Sequence, residues 1–139
     1  MNVADIMTTN PTTVGLDTTL GRALDVMQHV GCRHLPIMSR DGHLVGILSD
    51  RDCRTAMNSP HVLRERWQDE ELSDKLTVRS AMTAAPIITE ANVSARQAAR
   101  LMLENHIGCL PVMRGETLIG IITTSDILMA FVHVSRVPA

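Results

Sequence analysis

The sequence predicts an α+β fold assembled from two similar halves, and three observations predict it. The chain repeats itself at a nearly constant offset, which is the first thing to look for in any sequence. Each half mixes short, strand-like apolar runs with one amphipathic helical stretch. Each half also ends its last apolar run in the same way: "LVGILSDRD" at residues 44–52 and "LIGIITTSD" at 118–126. In both, a glycine and apolar residues lead to a hydroxyl side chain, with a carboxylate three residues later.

The offset can be followed residue by residue. A shift of 75 pairs Val3 with Val78, Met7 with Met82, Thr8 with Thr83 and Pro11 with Pro86. It also pairs Ala23 with Ala98, Met27 with Met102, Leu35 with Leu110, Pro36 with Pro111 and Met38 with Met113. Beyond "SRDGH", which is replaced by the tighter "RGET", the shift becomes 74 and pairs Gly46 with Gly120 and Asp52 with Asp126. The change of length falls in a turn, where insertions are tolerated. Collinear matches of this kind mark a duplication.

Each half yields the same elements in order. A helical turn ("VADIMT", "VRSAMT") runs into an X-Pro step, where Asn10 and Ala85 are expected to be extended. A brief strand follows, at 12–14 and 87–89. Thr19 and Ser94 then stand as helix N-caps, with Gln97 completing a capping box in the second half. Leu20, Ala23, Leu24 and Met27 form one helical face, and Ala95, Ala98, Ala99 and Met102 repeat it. Two strands joined by a tight turn come next, 33–38 with 43–49 and 109–113 with 117–123, Asp41-Gly42 being a hairpin signal. Pro36 and Pro111 suggest strands near a sheet edge. A last helix starts near Asp50 or Thr124. The order is β-α-β-β-α, twice, and one such unit buries too little apolar surface alone, so the halves are expected to pack together.

The resulting division is a first repeat at 1–56, a charged connector at 57–77 and a second repeat at 78–139. In the connector, "LRERWQDEEL" reads as a helix, with Arg66 and Glu70 spaced for an ion pair. Trp67 is read as a packed side chain or, less simply, as a contact for a partner.

Composition narrows the function. Of 139 residues, 45% are apolar and 20% charged, as in ordinary globular proteins. The aromatics are Trp67 and Phe131, so Leu, Ile, Val, Ala and the nine Met must build the core. A net charge of −2 and the missing aromatics argue against nucleic-acid binding. The opening "MNVADIMTTNP" lacks the basic start and apolar core of a secretory signal. The run "ILMAFVHV" is eight residues, short of the roughly 20 that span a bilayer. Cys32, Cys53 and Cys109 are odd in number and form no CxxC, which fits reduced thiols. The expectation is a cytoplasmic protein with no membrane partner.

The doubled Ser/Thr-x-x-Asp has two readings. Ser49 and Thr123 can simply cap a helix, with Asp52 and Asp126 favoured near its positive end. Alternatively, a carboxylate can accept both hydrogens of a vicinal diol such as ribose, while a hydroxyl and a helix N-terminus hold phosphate. Gly46 and Gly120 would let a backbone or a ligand approach closely. Two copies at equivalent places favour a nucleotide.

Taken together, "DIMTTNPTTV" and "SAMTAAPIIT", "RHLPIM" and "GCLPVM", and "GILSDRD" and "GIITTSD" resemble the tandem CBS-domain family, named for cystathionine β-synthase. The resemblance spans residues 3–132. It implies two repeats packed through their sheets into one pseudo-two-fold module, and two clefts between repeats that bind adenosyl ligands: AMP, ADP, ATP or S-adenosylmethionine. It also implies pairing of modules, hence a homodimer. By position, Asp52 and Asp126 would hold ribose hydroxyls, with Ser49 and Thr123 beside ribose or phosphate. Thr12, Thr13, Ile87 and Ile88 would present backbone to the adenine edge, and Ile37 and Val112 would press on the base. Arg33 and His34 occupy the place that often binds phosphate, and Arg51 adds a cation; the second repeat has Gly108, Cys109 and Ser125 instead. The two clefts are therefore expected to differ.

The function expected is a non-catalytic sensor with no resident cofactor, an adenosyl small molecule as regulatory ligand and a regulated partner protein as its target. A constitutive dimerisation scaffold with vestigial clefts is the alternative. A metal site at His29, Cys32 and His34 lacks a fourth ligand, and the recurring Met7, Met27, Met38, Met82, Met102 and Met113 read as core. No nucleophile–base pair has support beyond its letters, so enzyme activity is not expected.

Overall fold

Two compact units make up the chain, and they are not the two sequence repeats. The computed structural model describes residues 1–58 and 75–135. One unit consists of Met1–Pro11 with Ile87–Ala139, the other of Thr12–Pro86. The two sequence halves thus exchange their leading segments, and the chain passes between units just after Pro11 and Pro86.

In the Thr12–Pro86 unit, strand β2 (Val14–Gly15) leads to helix α2 (Leu20–Val30), strands β3 (His34–Met38) and β4 (Leu44–Ser49), and helix α3 (Asp50–Met57). A 3-10 turn at Val78–Ser80 and strand β5 (Thr83–Ala84) complete it. The sheet order is β2-β3-β4-β5, with β2 parallel to β3 and the other pairs antiparallel. In the other unit, helix α1 (Val3–Ile6) and strand β1 (Thr8–Thr9) join β6 (Thr89–Glu90), α4 (Ala95–Asn105), β7 (Cys109–Arg114), β8 (Thr117–Thr123) and α5 (Thr124–Ser135). Its order, β1-β8-β7-β6, is the same arrangement.

The helices start where their caps predict. Thr19 Oγ1 accepts from Arg22 N at 3.1 Å, and Ser94 Oγ accepts from Gln97 N at 3.0 Å. The Gln97 side chain accepts the Ser94 hydroxyl rather than a backbone amide, so that capping box is incomplete. Leu20, Ala23 and Met27 are buried on α2, as are Ala98 and Met102 on α4, one face of each helix meeting its sheet. The cores are aliphatic: Leu20, Leu35, Ile37, Leu48 and Val78 in one unit, Val3, Leu110, Val112 and Ile122 in the other.

Three expectations are corrected. Asn10 and Ala85 are not extended; both take φ +48°. Avoiding the right-handed region before proline leaves the left-handed well open, and here the chain turns sharply as it leaves one unit. The strands expected at 12–14 and 87–89 begin about two residues later, and a further pair, β1 and β5, precedes them. Finally, β3 and β7 are interior strands, not edges. Proline is tolerated there because the two-residue ladders of β2 and β6 begin at Ile37 and Val112, one residue after Pro36 and Pro111.

The exchanged strands also explain the repeated glycine. A Cβ on Gly46 would stand 2.5 Å from Met82 Sδ and 3.1 Å from the Thr83 carbonyl oxygen. A Cβ on Gly120 would stand 2.7 Å from Met7 Sδ and 2.9 Å from the Thr8 carbonyl oxygen. The close approach expected at these glycines is made by the protein's own backbone and methionine. Arg66, Trp67 and Glu70 lie outside the described residues.

Candidate functional site

In each unit the last strand of the β-hairpin runs straight into a helix, and the Ser/Thr-x-x-Asp motif is the joint. Ser49 caps α3: its Oγ accepts from Asp52 N at 3.0 Å, while Asp52 Oδ2 accepts from Ser49 N at 2.9 Å. Thr123 and Asp126 repeat this at the start of α5, at 3.2 and 3.0 Å. The helix-capping reading is therefore correct in full, twice. The ligand reading survives it, because each motif commits one carboxylate oxygen and one hydroxyl lone pair. Among the described residues, Oδ1 of each aspartate and the proton of each motif hydroxyl make no further hydrogen bond. The reciprocal cap fixes the carboxylate's orientation, and the motif side chains are half-buried.

Strand register brings the next candidates to the same place. His34 lies directly opposite Ser49, and Asp50 N donates to the Arg33 carbonyl at 3.0 Å. Directly opposite residues of an antiparallel pair share one face of the sheet. Arg33, His34, Ser49 and Asp52 thus gather at one end of the β3–β4 hairpin, with Arg51 exposed on the first turn of α3. In the other unit Cys109 lies opposite Thr123, and Thr124 N donates to the Gly108 carbonyl at 3.0 Å. The backbone is the same; the cations are missing.

Thr12, Thr13, Ile87 and Ile88 are exposed immediately after the chain enters each unit. They precede β2 and β6, which run parallel to β3 and β7, and so approach from the end that carries the motif. Ile37 and Val112 are placed differently from expectation: both are fully buried in their units' aliphatic cores and present no surface to a base. As strand interiors beside the motif, they are needed for packing. An open groove of about 540 Å³ beside α4 takes in Ile88 but none of the motif residues.

Electrostatics separate the two sites. Burial holds the His34 imidazole below its ordinary pKa, Asp50 and Asp52 pull the other way, and Arg33 adds to the depression. At the equivalent position burial, reinforced by Asp126, pushes the Cys109 thiol far up, so it stays protonated and uncharged. Cys53, beneath the first motif, is pushed up to about 11 by burial, then by Asp52 and Asp50. Among the described residues no three His, Cys, Asp or Glu side chains gather as metal ligands, His29, Cys32 and His34 included.

The motif's second position was missed in the sequence. Asp50 is half-buried, contributes to the field at His34 and lies 3.8 Å from Arg54. Thr124 directs its hydroxyl at the Gly108 carbonyl, 3.4 Å away. Their one sequence signal was their place as first helical residue after an N-cap.

Each of the two α+β units thus ends its hairpin in a capped, acid-bearing helix. Residues 3–59 and 78–133 both match the family model of the CBS domain, and the chain belongs to that family. It is 35% identical over 136 residues to a CBS domain-containing protein of Dictyostelium discoideum, covering 95% of this chain and 92% of that one. It is 31% identical over 127 residues to inosine-5'-monophosphate dehydrogenase of Methanocaldococcus jannaschii, but spans only 22% of that enzyme. Among solved structures it is similar to CBSX2 in complex with AMP, with TM-score 0.78, 28% identity and coverage of 97% and 99% of the two chains. It is also similar to the CBS domain pair of protein MJ0100 in complex with 5'-methylthioadenosine and S-adenosylmethionine, with TM-score 0.79, 25% identity and coverage of 94% and 99%. Among the described residues no helix is long and apolar enough to cross a membrane.

Proposed function

We propose that the chain is a non-catalytic regulatory module that binds adenosyl ligands and relays their presence to a partner protein. The observation that carries this reading is the doubled capped aspartate. In each unit a carboxylate is held rigid by its own helix cap with one oxygen left for a ribose diol, beside a hydroxyl free to donate. The adenosyl complexes of CBSX2 and the MJ0100 pair support the ligand class, AMP and S-adenosylmethionine being the first to try.

Regulation by such a module requires that the ligand bind one conformation better than another, since equal affinity for both shifts nothing. The dehydrogenase relative, in which a segment like this chain accompanies a much longer protein, supports a role alongside an effector. Two copies would pair as a homodimer, and the function would be carried out in the cytoplasm. Calorimetric titration with AMP, ADP, ATP, S-adenosylmethionine and adenosine tests the reading. Saturable binding that is lost in the double variant Asp52→Ala/Asp126→Ala is expected. Silence towards all five ligands, with no rise in melting temperature at millimolar concentration, would replace it with the scaffold. Light scattering should give about twice the monomer's 15.2 kDa; the monomer mass at micromolar concentration would refute the pairing.

A further inference from the structure

The two units match in backbone and differ at one decisive register position. The residue opposite the capping hydroxyl is His34 in one and Cys109 in the other. We infer that the Ser49–Asp52 site is a proton-linked anion site, in which His34 takes up a proton as a phosphorylated ligand binds, while the Thr123–Asp126 site has no such switch. This rests on the adenosyl-binding reading and adds to it a regulatory input, pH, and a division of labour between the sites.

The geometry supplies the linkage. His34 shares its sheet face with Ser49 and lies next to the start of α3. The charged groups around it are Asp50 and Asp52 from that helix and Arg33 from its own chain; the Cys32 thiol is hydrogen-bonded to the His34 backbone. Without ligand the imidazole is half-buried, and burial disfavours its charged form. Its folded pKa is depressed, so below the ordinary imidazole value of about 6.5 the unfolded chain binds more protons and the folded state loses stability as pH falls.

A phosphate beside the Ser49 hydroxyl reverses that balance. It would otherwise stand near two carboxylates, Asp50 and Asp52, with no charge on the neighbouring imidazole to offset them. Protonated, His34 offers a charge-assisted donor and offsets one carboxylate. The anion must therefore raise the imidazole pKa, and by reciprocity protonation must tighten the anion. Each unit of pKa that the ligand adds appears as about tenfold in affinity across the titration. Cys109 cannot take this part: it is buried, uncharged near neutrality, and a thiol gains no positive charge on protonation.

The experiment is calorimetric titration of AMP and adenosine between pH 7.5 and 5.5 on the wild type and on His34→Gln. AMP's own phosphate titrates near pH 6, identically for both proteins, so the ratio of their affinities isolates His34. That ratio should move by at least about threefold in favour of wild type as pH falls, with adenosine unmoved. A second measurement needs no variant: the NMR titration of the His34 ring should shift to higher pH on saturation with AMP and stay put with adenosine. If AMP binds while the ratio is flat and the ring's titration does not move, the linkage is wrong and adenosyl sensing stands. If neither ligand binds at any pH, the reading beneath it falls and takes the linkage with it.

Discussion

Alanine at Gly46 and at Gly120 should both destabilise the protein, and by different amounts for a reason that the contacts specify. In each unit the exchanged strand, β5 or β1, lies against the hairpin's second strand at the glycine. Replacing glycine in a strand ordinarily stabilises through the unfolded chain by about 0.4–1 kcal/mol. Overpacking opposes this with roughly 1–3 kcal/mol. At Gly46 the worst contact is the flexible end of Met82, at 2.5 Å, and the Thr83 carbonyl at 3.1 Å needs to yield only slightly. At Gly120 the Thr8 carbonyl itself stands at 2.9 Å, and backbone paired in a ladder cannot swing aside. A net loss of about 1 kcal/mol for Gly46→Ala and about 2 kcal/mol for Gly120→Ala is expected. The assay is urea unfolding followed by circular dichroism, extended to double-mutant cycles. Met82→Ala should relieve most of the Gly46→Ala penalty, whereas Met7→Ala should leave most of the Gly120→Ala penalty, since Thr8 remains. A neutral or stabilising Gly120→Ala, or its full rescue by Met7→Ala, would refute the backbone-contact argument.

Asp52→Asn should leave stability within about 0.5 kcal/mol, because an amide oxygen can still accept from Ser49 N, yet weaken adenosine at least tenfold by removing the ionised diol acceptor. Asp52→Ala should also lose about 1 kcal/mol of helix capping, which urea unfolding separates from the binding defect. Arg33→Ala or Arg51→Ala should cut the preference for AMP over adenosine by about tenfold, a charge-assisted hydrogen bond being worth roughly 1.5–3 kcal/mol; if both keep the wild-type preference, neither arginine reads phosphate. Thiol alkylation at pH 7.5 should proceed first at Cys32, the half-buried one, because Cys53 is fully buried and its thiol, pushed up to about 11, stays protonated. Peptide mass spectrometry over time checks the order, and early modification of Cys109 would contradict its burial.

The repeat and the local signals were legible because they depend on neighbours in sequence. A cap, a 3.6-residue apolar face and a turn glycine act within a few residues, so Thr19, Ser94 and the α2 and α4 faces could be read directly. The pairing of His34 and Cys109 with the motif hydroxyls was not legible in this way, because a register shift between Ile37 and Met38, and between Val112 and Met113, displaces each ladder from the one its turn alone would set. The tertiary structure alone decided which unit each leading segment completes. Val3 and Val78 look equivalent in sequence and are equivalent in space, but each is buried in the core that the other repeat builds. Two-residue strands such as β1 and β5 carry too little pattern to announce themselves, and they exist only because a neighbouring strand offers an open edge. The same limit governed Gly46 and Gly120, whose crowding comes from chain about 36 residues ahead in one unit and well over a hundred behind in the other. It governed Ile37 and Val112 as well: whether an apolar residue meets a ligand or a core is set by which face the packed helices cover, and no single strand's sequence contains that information.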